Sequence, residues 1–256
     1  MRVLVLVKRV PATGGRIVLT ADGQDIDTRH LGFTISPHEE CGVEEAVRIV
    51  ERGGGSTTVL TLGPPEAAEQ LRDAVALGIE EPVLLETDGS DWDPIATSAA
   101  IVAAIRTLES EGGPFDLILA GNESADSGGF QVAIRVAVAL DRPFITGVKA
   151  LELSAGRAIA RREAGGGRDV FEAPLPAVIT VREGINLPRY PSVPGRLRAK
   201  RKEVRTIPVT RGPGGPTKVG LRLPVEEGAQ VEVLGSGAEA APRVVEVLQR
   251  IGVLGR

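Results

Sequence analysis

The residues best suited to chemistry fall in one short stretch, 115–140, which reads FDLILAGNESADSGGFQVAIRVAVAL. Ser124, Ser127, Gly128 and Gly129 stand between an apolar run at 116–120 and a second run with helical spacing at Val132, Val136, Ala139 and Leu140. Strand, small-residue loop and helix make one βα unit of a parallel sheet. Glycines let a ligand approach the backbone, and the free N–H groups of a helix start attract an anion together with the helix dipole. A phosphate is the guest this pattern points to. An ordinary βα turn with a serine cap has the same composition, and a short glycine motif is weak evidence alone.

Other chemistries are thinly supplied. A single cysteine, Cys41, excludes an internal disulfide framework and a cysteine-rich metal site. Two histidines, His30 and His38, argue against a histidine-based metal centre. The net charge of −4 gives no reason to expect nucleic acid. No apolar run approaches the roughly 20 residues of a membrane span. The opening run 3–7 is too short, and lacks the cleavage region, for a signal peptide. A soluble, cytoplasmic protein is the expectation.

The phosphate-friendly loop needs a scaffold, and the chain supplies one by alternation. Residues 3–7 (VLVLV) are continuously apolar, as in a central parallel strand buried on both faces. Residues 16–20 and the turn-rich Ala21, Asp22 and Gly23 suggest a small inserted hairpin. Ser36 and Pro37 then start a helix, as N-cap and first helical residue. Its apolar stripe is Val43, Ala46, Val47 and Val50, and Gly53, Gly54 and Gly55 stop it. A strand at 57–62 follows, then a helix with Ala67, Leu71, Ala74, Val75 and Gly78 on one face. A strand at 83–85 and a helix from Asp93 and Pro94 to about Leu108 lead to the loop-bearing unit. Alternation of this kind implies an α/β, doubly wound, mostly parallel sheet. Ligands bind such sheets at the carboxyl ends of strands, so 6–10, 62–63 and 120–121 are expected to converge on one crevice.

After Leu140 the pattern changes. Residues 148–153 and 157–163 predict a hairpin, with a turn at 165–167 into 169–172 and another buried strand at 175–181. Residues 188–194 are proline-rich and predicted irregular, and 196–205 is a basic run whose ordinary role is a solvated face. An α/β domain over 1–205 is thus expected, with an extended arm over 206–256 ending in a helix at 242–254. The arm is expected to dock on a partner subunit, docking back on its own domain being the alternative.

The N-terminal VLVLVKRV resembles the first strand of the electron transfer flavoprotein β subunit. The piece from Ser36-Pro37 to Glu44-Glu45-Ala46-Val47 is similar to that family's N-P-x-x-E-x-x-x-E-E-A-V element, with Ser for Asn. Residues 121–132 resemble its G-x-Q-(A/S)-x-D loop, with Glu123 for Gln. The ordered set Arg162-Glu163, LPAVITV at 175–181, INLPRY at 185–190 and AKRK at 199–202 looks like its signature region. The resemblance spans nearly the whole chain.

What the resemblance implies is a Rossmann-like, adenine-nucleotide-binding domain and an electron carrier without substrate turnover of its own. It implies an αβ heterodimer in which the α subunit holds most of an FAD and the β subunit holds a structural AMP. Electrons pass from acyl-CoA and related dehydrogenases to a membrane quinone oxidoreductase. The implied AMP site is Leu6, Ser36, Pro37, His38, Glu39, Leu62, Gly121, Asn122, Glu123, Ser124, Ala125, Asp126, Ser127, Gly128, Gly129, Phe130, Gln131 and Val132. His38 stands where the family often has an aromatic residue against the flavin, and an imidazole titrates near neutral pH where a phenyl does not. Glu163 matches a position at the subunit interface near the flavin. Residues 190–200 match a dehydrogenase-recognition loop, with Val193 at its aliphatic anchor and Arg196, Arg198 and Lys200 beside it. Two alternatives stay open: an electron-bifurcating member with a second FAD in place of AMP, and a stand-alone adenine-nucleotide sensor. A third, an ATP pyrophosphatase, is disfavoured because Gln131 and Val132 replace the Asp and Ser of its loop.

Overall fold

The computed structural model describes residues 1–12, 14, 17–212, 215–224 and 232–254. Its centre is β1 (Arg2–Leu6), whose Val3, Leu4 and Val5 have no exposed surface. A two-residue ribbon, β2 (Val10–Pro11) with β3 (Phe33–Thr34), follows. Then come α1 (Pro37–Gly53), β4 (Ser56–Gly63), α2 (Ala68–Leu77), β5 (Glu81–Glu86), α3 (Pro94–Gly112), β6 (Leu117–Gly121) and α4 (Gln131–Ala139). The second half holds β7 (Phe144–Val148), β8 (Ala150–Ser154), β9 (Arg157–Ala164), β10 (Gly167–Pro174), β11 (Ala177–Val181), α5 (Val193–Arg201), β12 (Arg205–Pro208) and α6 (Ala241–Arg250).

The main sheet has seven strands in the order β12-β5-β4-β1-β6-β11-β7, every pair parallel. Period-two alternation splits its side chains into two apolar layers. Val3, Val5 and Val59 pack with Val43, Val47 and Leu71 of α1 and α2. Leu4, Leu6 and Leu60 pack with Ile101, Ile105 and Val136 of α3 and α4. The doubly wound α/β expectation therefore holds. A second, antiparallel sheet, β10-β9-β8, lies beside it and feeds Ala158, Ala160 and Ala173 into the first layer.

Several local expectations hold in detail. Ser36 caps α1 and Pro37 is its first residue, while Gly54 closes it in a left-handed conformation. Asp93 caps α3 by accepting hydrogen bonds from Ile95 and Ala96. The inserted hairpin is present as a bridge between Leu19 and Ile26, although Arg16 lies outside the described residues.

Other details differ. Gly78 ends α2 at φ 133° instead of lying on its face. Val148 belongs to β7 at the edge of the main sheet, and the hairpin begins at Ala150. Residues 193–201, expected as loop and basic run, form the helix α5. Ser192 caps it by accepting from Gly195 N at 3.1 Å. No apolar stripe announces α5, because it touches α2 through small residues: Gly195 and Ala199 are buried, and a Cβ on Gly195 would fall 2.2 Å from the Ala76 carbonyl oxygen. The sheet also runs on past Arg205, since β12 pairs with β5. Beyond it the segment lies on its own domain as far as Leu221. Arg211 meets Asp93 at 3.4 Å, Lys218 meets Asp25 at 2.6 Å, and Leu221 N donates to Gly23 O at 2.7 Å. The expected terminal helix forms at 241–250, and none of its residues is buried.

Candidate functional site

β1 and β6 are neighbours, but β1 leads through α1 to β4 on one side and β6 leads through α4 to the other. The carboxyl ends of these two strands form the switch point where open α/β sheets bind ligands. Two helix starts face each other across it.

The start of α1 is closed by its own side chains. The Ser36 hydroxyl accepts from Glu39 N at 3.4 Å, and the Glu39 carboxylate accepts from Ser36 N at 2.9 Å, a capping box. The other Glu39 oxygen accepts from Lys8 N at 3.0 Å, which ties β1 to α1. Burial pushes the Glu39 carboxyl up to about 7, against these hydrogen bonds and the Lys8 charge, which pull it down. Glu39 is therefore committed inward. Gly121 explains how close the layers come: a Cβ there would sit 2.7 Å from Glu39 Cγ and 3.3 Å from the backbone nitrogen of Glu39.

His38 latches three segments together. Its Nδ1 accepts from Glu183 N, just after β11, at 2.7 Å. That bond leaves the proton of the neutral ring on Nε2, which faces Glu123 Oε1 at 3.2 Å. Carboxylates crowd this corner, and burial with the nearby Glu183 charge raises the Glu40 carboxyl. Asn122 is held from the next strand, its Oδ1 accepting from Thr180 Oγ1 at 3.0 Å and its N–H donating to Val181 O.

The start of α4 is built differently. No side chain caps it, and Phe130 in the cap position is half exposed. The loop before it folds on itself: Gly128 N donates to Ser124 O, Gly129 N to Ser124 Oγ at 3.2 Å, and the Ser124 and Ser127 hydroxyls lie 3.0 Å apart. Gly128 has φ 61°, a conformation glycine adopts freely. Lys8 Nζ reaches the loop at Asp126, 2.6 Å away. Burial would raise the Asp126 carboxyl, but Lys8 and the Ser124 and Ser127 hydrogen bonds outweigh it and hold it low. The result is an exposed small-residue loop, a lysine at its edge and an uncapped helix start, an arrangement that can receive a phosphate.

A family model for the electron transfer flavoprotein domain matches residues 25–211. The electron transfer flavoprotein subunit beta of Bacillus subtilis (strain 168) is 37% identical over 210 residues, covering 81% of this chain and 79% of that protein. The protein of that name from Syntrophomonas wolfei is 33% identical over 247 residues, covering 96% and 95% of the two chains. Protein FixA of Sinorhizobium fredii is 32% identical over 227 residues, covering 87% and 79%. The chain belongs to the electron transfer flavoprotein β-subunit family. Its role is therefore electron transfer, and the family implies an α-subunit partner. Among the described residues no helix is long and apolar enough to cross a membrane.

Within this flavoprotein subunit the expected site residues fall into three groups. Leu6, Leu62, Ser36, Pro37, His38, Glu39 and residues 121–132 do gather at the switch point, Glu39 with its carboxylate turned inward, and Leu6 and Leu62 by closing the α3–α4 layer at the ends of β1 and β4. Glu163 stands on β9 in the antiparallel sheet, away from the loop. It pairs with Lys149 Nζ, 3.3 Å away, which lies beside Gly184 next to the residue that holds His38. Val193, Arg196 and Lys200 are exposed on α5, whereas Arg198 donates to the Val75 carbonyl oxygen and so holds α5 onto α2.

Two signature motifs far apart in sequence meet as one tether. Arg189 Nε donates to Glu44 at 2.9 Å and its Nη1 to Glu51 at 2.6 Å, while Asn186 Nδ2 donates to Cys41 O and Glu45, both at 3.0 Å. Glu44 is almost fully buried. Desolvation raises its carboxyl, but Arg189 and Arg48 more than compensate and leave it lowered. The tether presents α5 from a fixed base. Sequence reasoning missed Thr180, since an apolar run hides it. Lys8 appeared only as a strand end, and no spacing rule links it to Asp126.

Proposed function

We propose that this chain is the AMP-binding β subunit of a heterodimeric electron transfer flavoprotein. Its α partner would hold most of the FAD. The heterodimer would carry electrons from acyl-CoA and related dehydrogenases to a membrane quinone oxidoreductase. The single observation behind it is the asymmetry at the switch point: a closed α1 start packed against an α4 start that no side chain caps. An AMP phosphate supplies the missing anion at α4, and the loop glycines allow the approach. When bound, the flavin supplies the redox chemistry. In this reading the chain's own residues keep the crevice rigid, with His38 and Glu123 clamping its rim and Glu163 lying on the partner-facing sheet. Val193, exposed at the first turn of α5 between Pro191 and Pro194, is the anchor offered to a dehydrogenase. Arg196 and Lys200 steer its approach. The described part of the arm lies on its own domain up to Leu221, so only the part ending in α6, with its apolar side uncovered, is left to embrace the α subunit.

Co-expression with the cognate α subunit and extraction of bound nucleotides tests the reading. Equimolar FAD and AMP are expected, and Gly128→Val is expected to lose AMP while the chain still folds. Two flavins per heterodimer and no AMP would move the chain to the electron-bifurcating variant. A stable chain that binds nucleotide but never associates with an α subunit would favour the sensor.

A further inference from the structure

Trp92 is the only tryptophan in the chain, and it sits immediately before the Asp93 cap of α3. α3 follows β5, so its start lies at the same carboxyl edge of the sheet as the switch point. The apolar layer between sheet, α3 and α4 ends there in Leu6, Leu62 and Ala120. Trp92 packs onto this layer from the α3 side and Val132 from the α4 side. The indole is only partly buried, so it offers an aromatic surface at the rim of the layer.

The two helix starts bordering this rim differ in whether a side chain caps them. At α3 the N–H groups of Ile95 and Ala96 are already taken by Asp93 Oδ1, at 2.8 and 3.1 Å. Asp91 adds a second carboxylate beside Trp92. An anion finds the donors at that end already occupied, whereas no side chain caps α4. A bound nucleotide thus has one polarity across the rim, phosphate toward α4 and base toward α3. The segment after β12 holds the α3 end in place. Val209 packs on the same layer, Arg211 pairs with Asp93, and Lys218 pairs with Asp91. Gly215 passes so close to the Asp93 carboxylate that it leaves no room for a Cβ.

We propose that Trp92 is the base-stacking residue of this site, the wall against which a purine lies when its phosphate is held by the loop before α4. The proposal rests on the nucleotide reading above and adds the group that selects a base.

The test uses the full-length chain freed of nucleotide. AMP and ribose 5-phosphate are each titrated by equilibrium dialysis, and tryptophan emission is followed in parallel. Emission is expected to change saturably with AMP and in step with dialysis, and to stay unchanged with ribose 5-phosphate. Trp92→Ala should weaken AMP by about tenfold, within the range for base–aromatic stacking, and leave ribose 5-phosphate binding unaltered, while Trp92→Phe keeps most of the affinity. AMP binding without any emission change in the natural chain overturns the role of Trp92 and leaves the nucleotide reading intact. Equal weakening of both ligands by Trp92→Ala overturns it as well, because that marks a structural loss. If the natural chain binds no AMP by dialysis, the nucleotide reading fails and takes the proposal with it.

Discussion

The starts of α1 and α4 lie at one crevice, follow adjacent parallel strands and carry similar small polar residues, yet they have opposite fates. α1 satisfies the N–H groups of Ser36 and Glu39 with its own capping box, buries both side chains and locks onto β6 through Gly121. α4 has no side-chain cap, a half-exposed Phe130 in the cap position and a loop of mostly exposed residues ahead of it. A helix start whose donors are internally satisfied is architecture, and one whose donors stay open is a place for a ligand. Serine-bearing helix starts look alike in sequence; what separates these two is where the neighbouring carboxylate points. Glu39 turns back into its own helix, whereas Asp126 turns out to Lys8.

Substitutions that erase this difference should do so in a ranked order. The largest effect is expected at Gly121. Gly121→Val drives two methyls into Glu39 and the α1 backbone, and overpacking of that kind should cost about 3 kcal/mol or more in chemical denaturation. A variant as stable as the natural chain would mean that the two layers do not meet as closely as described.

Next comes Glu39, through its proton. Its carboxyl titrates near 7 folded and at 4.5 when free, so between those values the folded chain binds more protons than the unfolded one. The stabilising contribution of neutral Glu39 is complete below pH 4.5 and is lost as pH rises through 7. Glu39→Gln removes that dependence. Urea melts at about pH 4.5 and about pH 8 should show the natural chain losing up to about 3 kcal/mol more than the variant across the interval. Parallel pH profiles for the two proteins would place Glu39 in contact with water.

Ser36→Ala should cost about 1 kcal/mol, the ordinary loss of an N-cap, read from the shift in denaturation midpoint. AMP affinity should fall little, because Ser36 is spent on its own helix.

The smallest effect on stability, and the sharpest contrast, is expected at α4. Gln131→Glu places a negative charge in the open first turn while keeping an acceptor for Arg135. It should stabilise the chain by roughly 0.3–1 kcal/mol through the helix dipole and weaken AMP binding at the same time. A gain in stability with unchanged AMP affinity would show that the phosphate does not use this helix start.

Local chemistry makes much of this chain legible from sequence. The continuous apolar run at 3–7 and the β-branched, apolar stretch at 57–62 read as buried strands, and Ser36-Pro37 and Asp93-Pro94 write their helix caps into adjacent residues. The small-residue loop at 121–132 is legible because glycine content and its place between a strand and a helix are properties of the segment itself. The family is legible too, since its motifs are ordered along the chain. What the sequence could not show depends on residues far apart being brought together. Helix α5 exists because Gly195 and Ala199 let it rest on α2, a contact across 119 residues between Gly195 and Ala76 that no periodicity encodes. Asp126 reaches Lys8, His38 reaches Glu123 and Glu183, and Arg189 reaches Glu44, each a charge or dipole whose partner is fixed by the packing of separate elements. Residue type determined what these groups can do. Only the tertiary structure decided which of them are spent holding the fold and which remain free to meet a ligand, because burial and partner distance set the cost of leaving a donor or a charge unpaired.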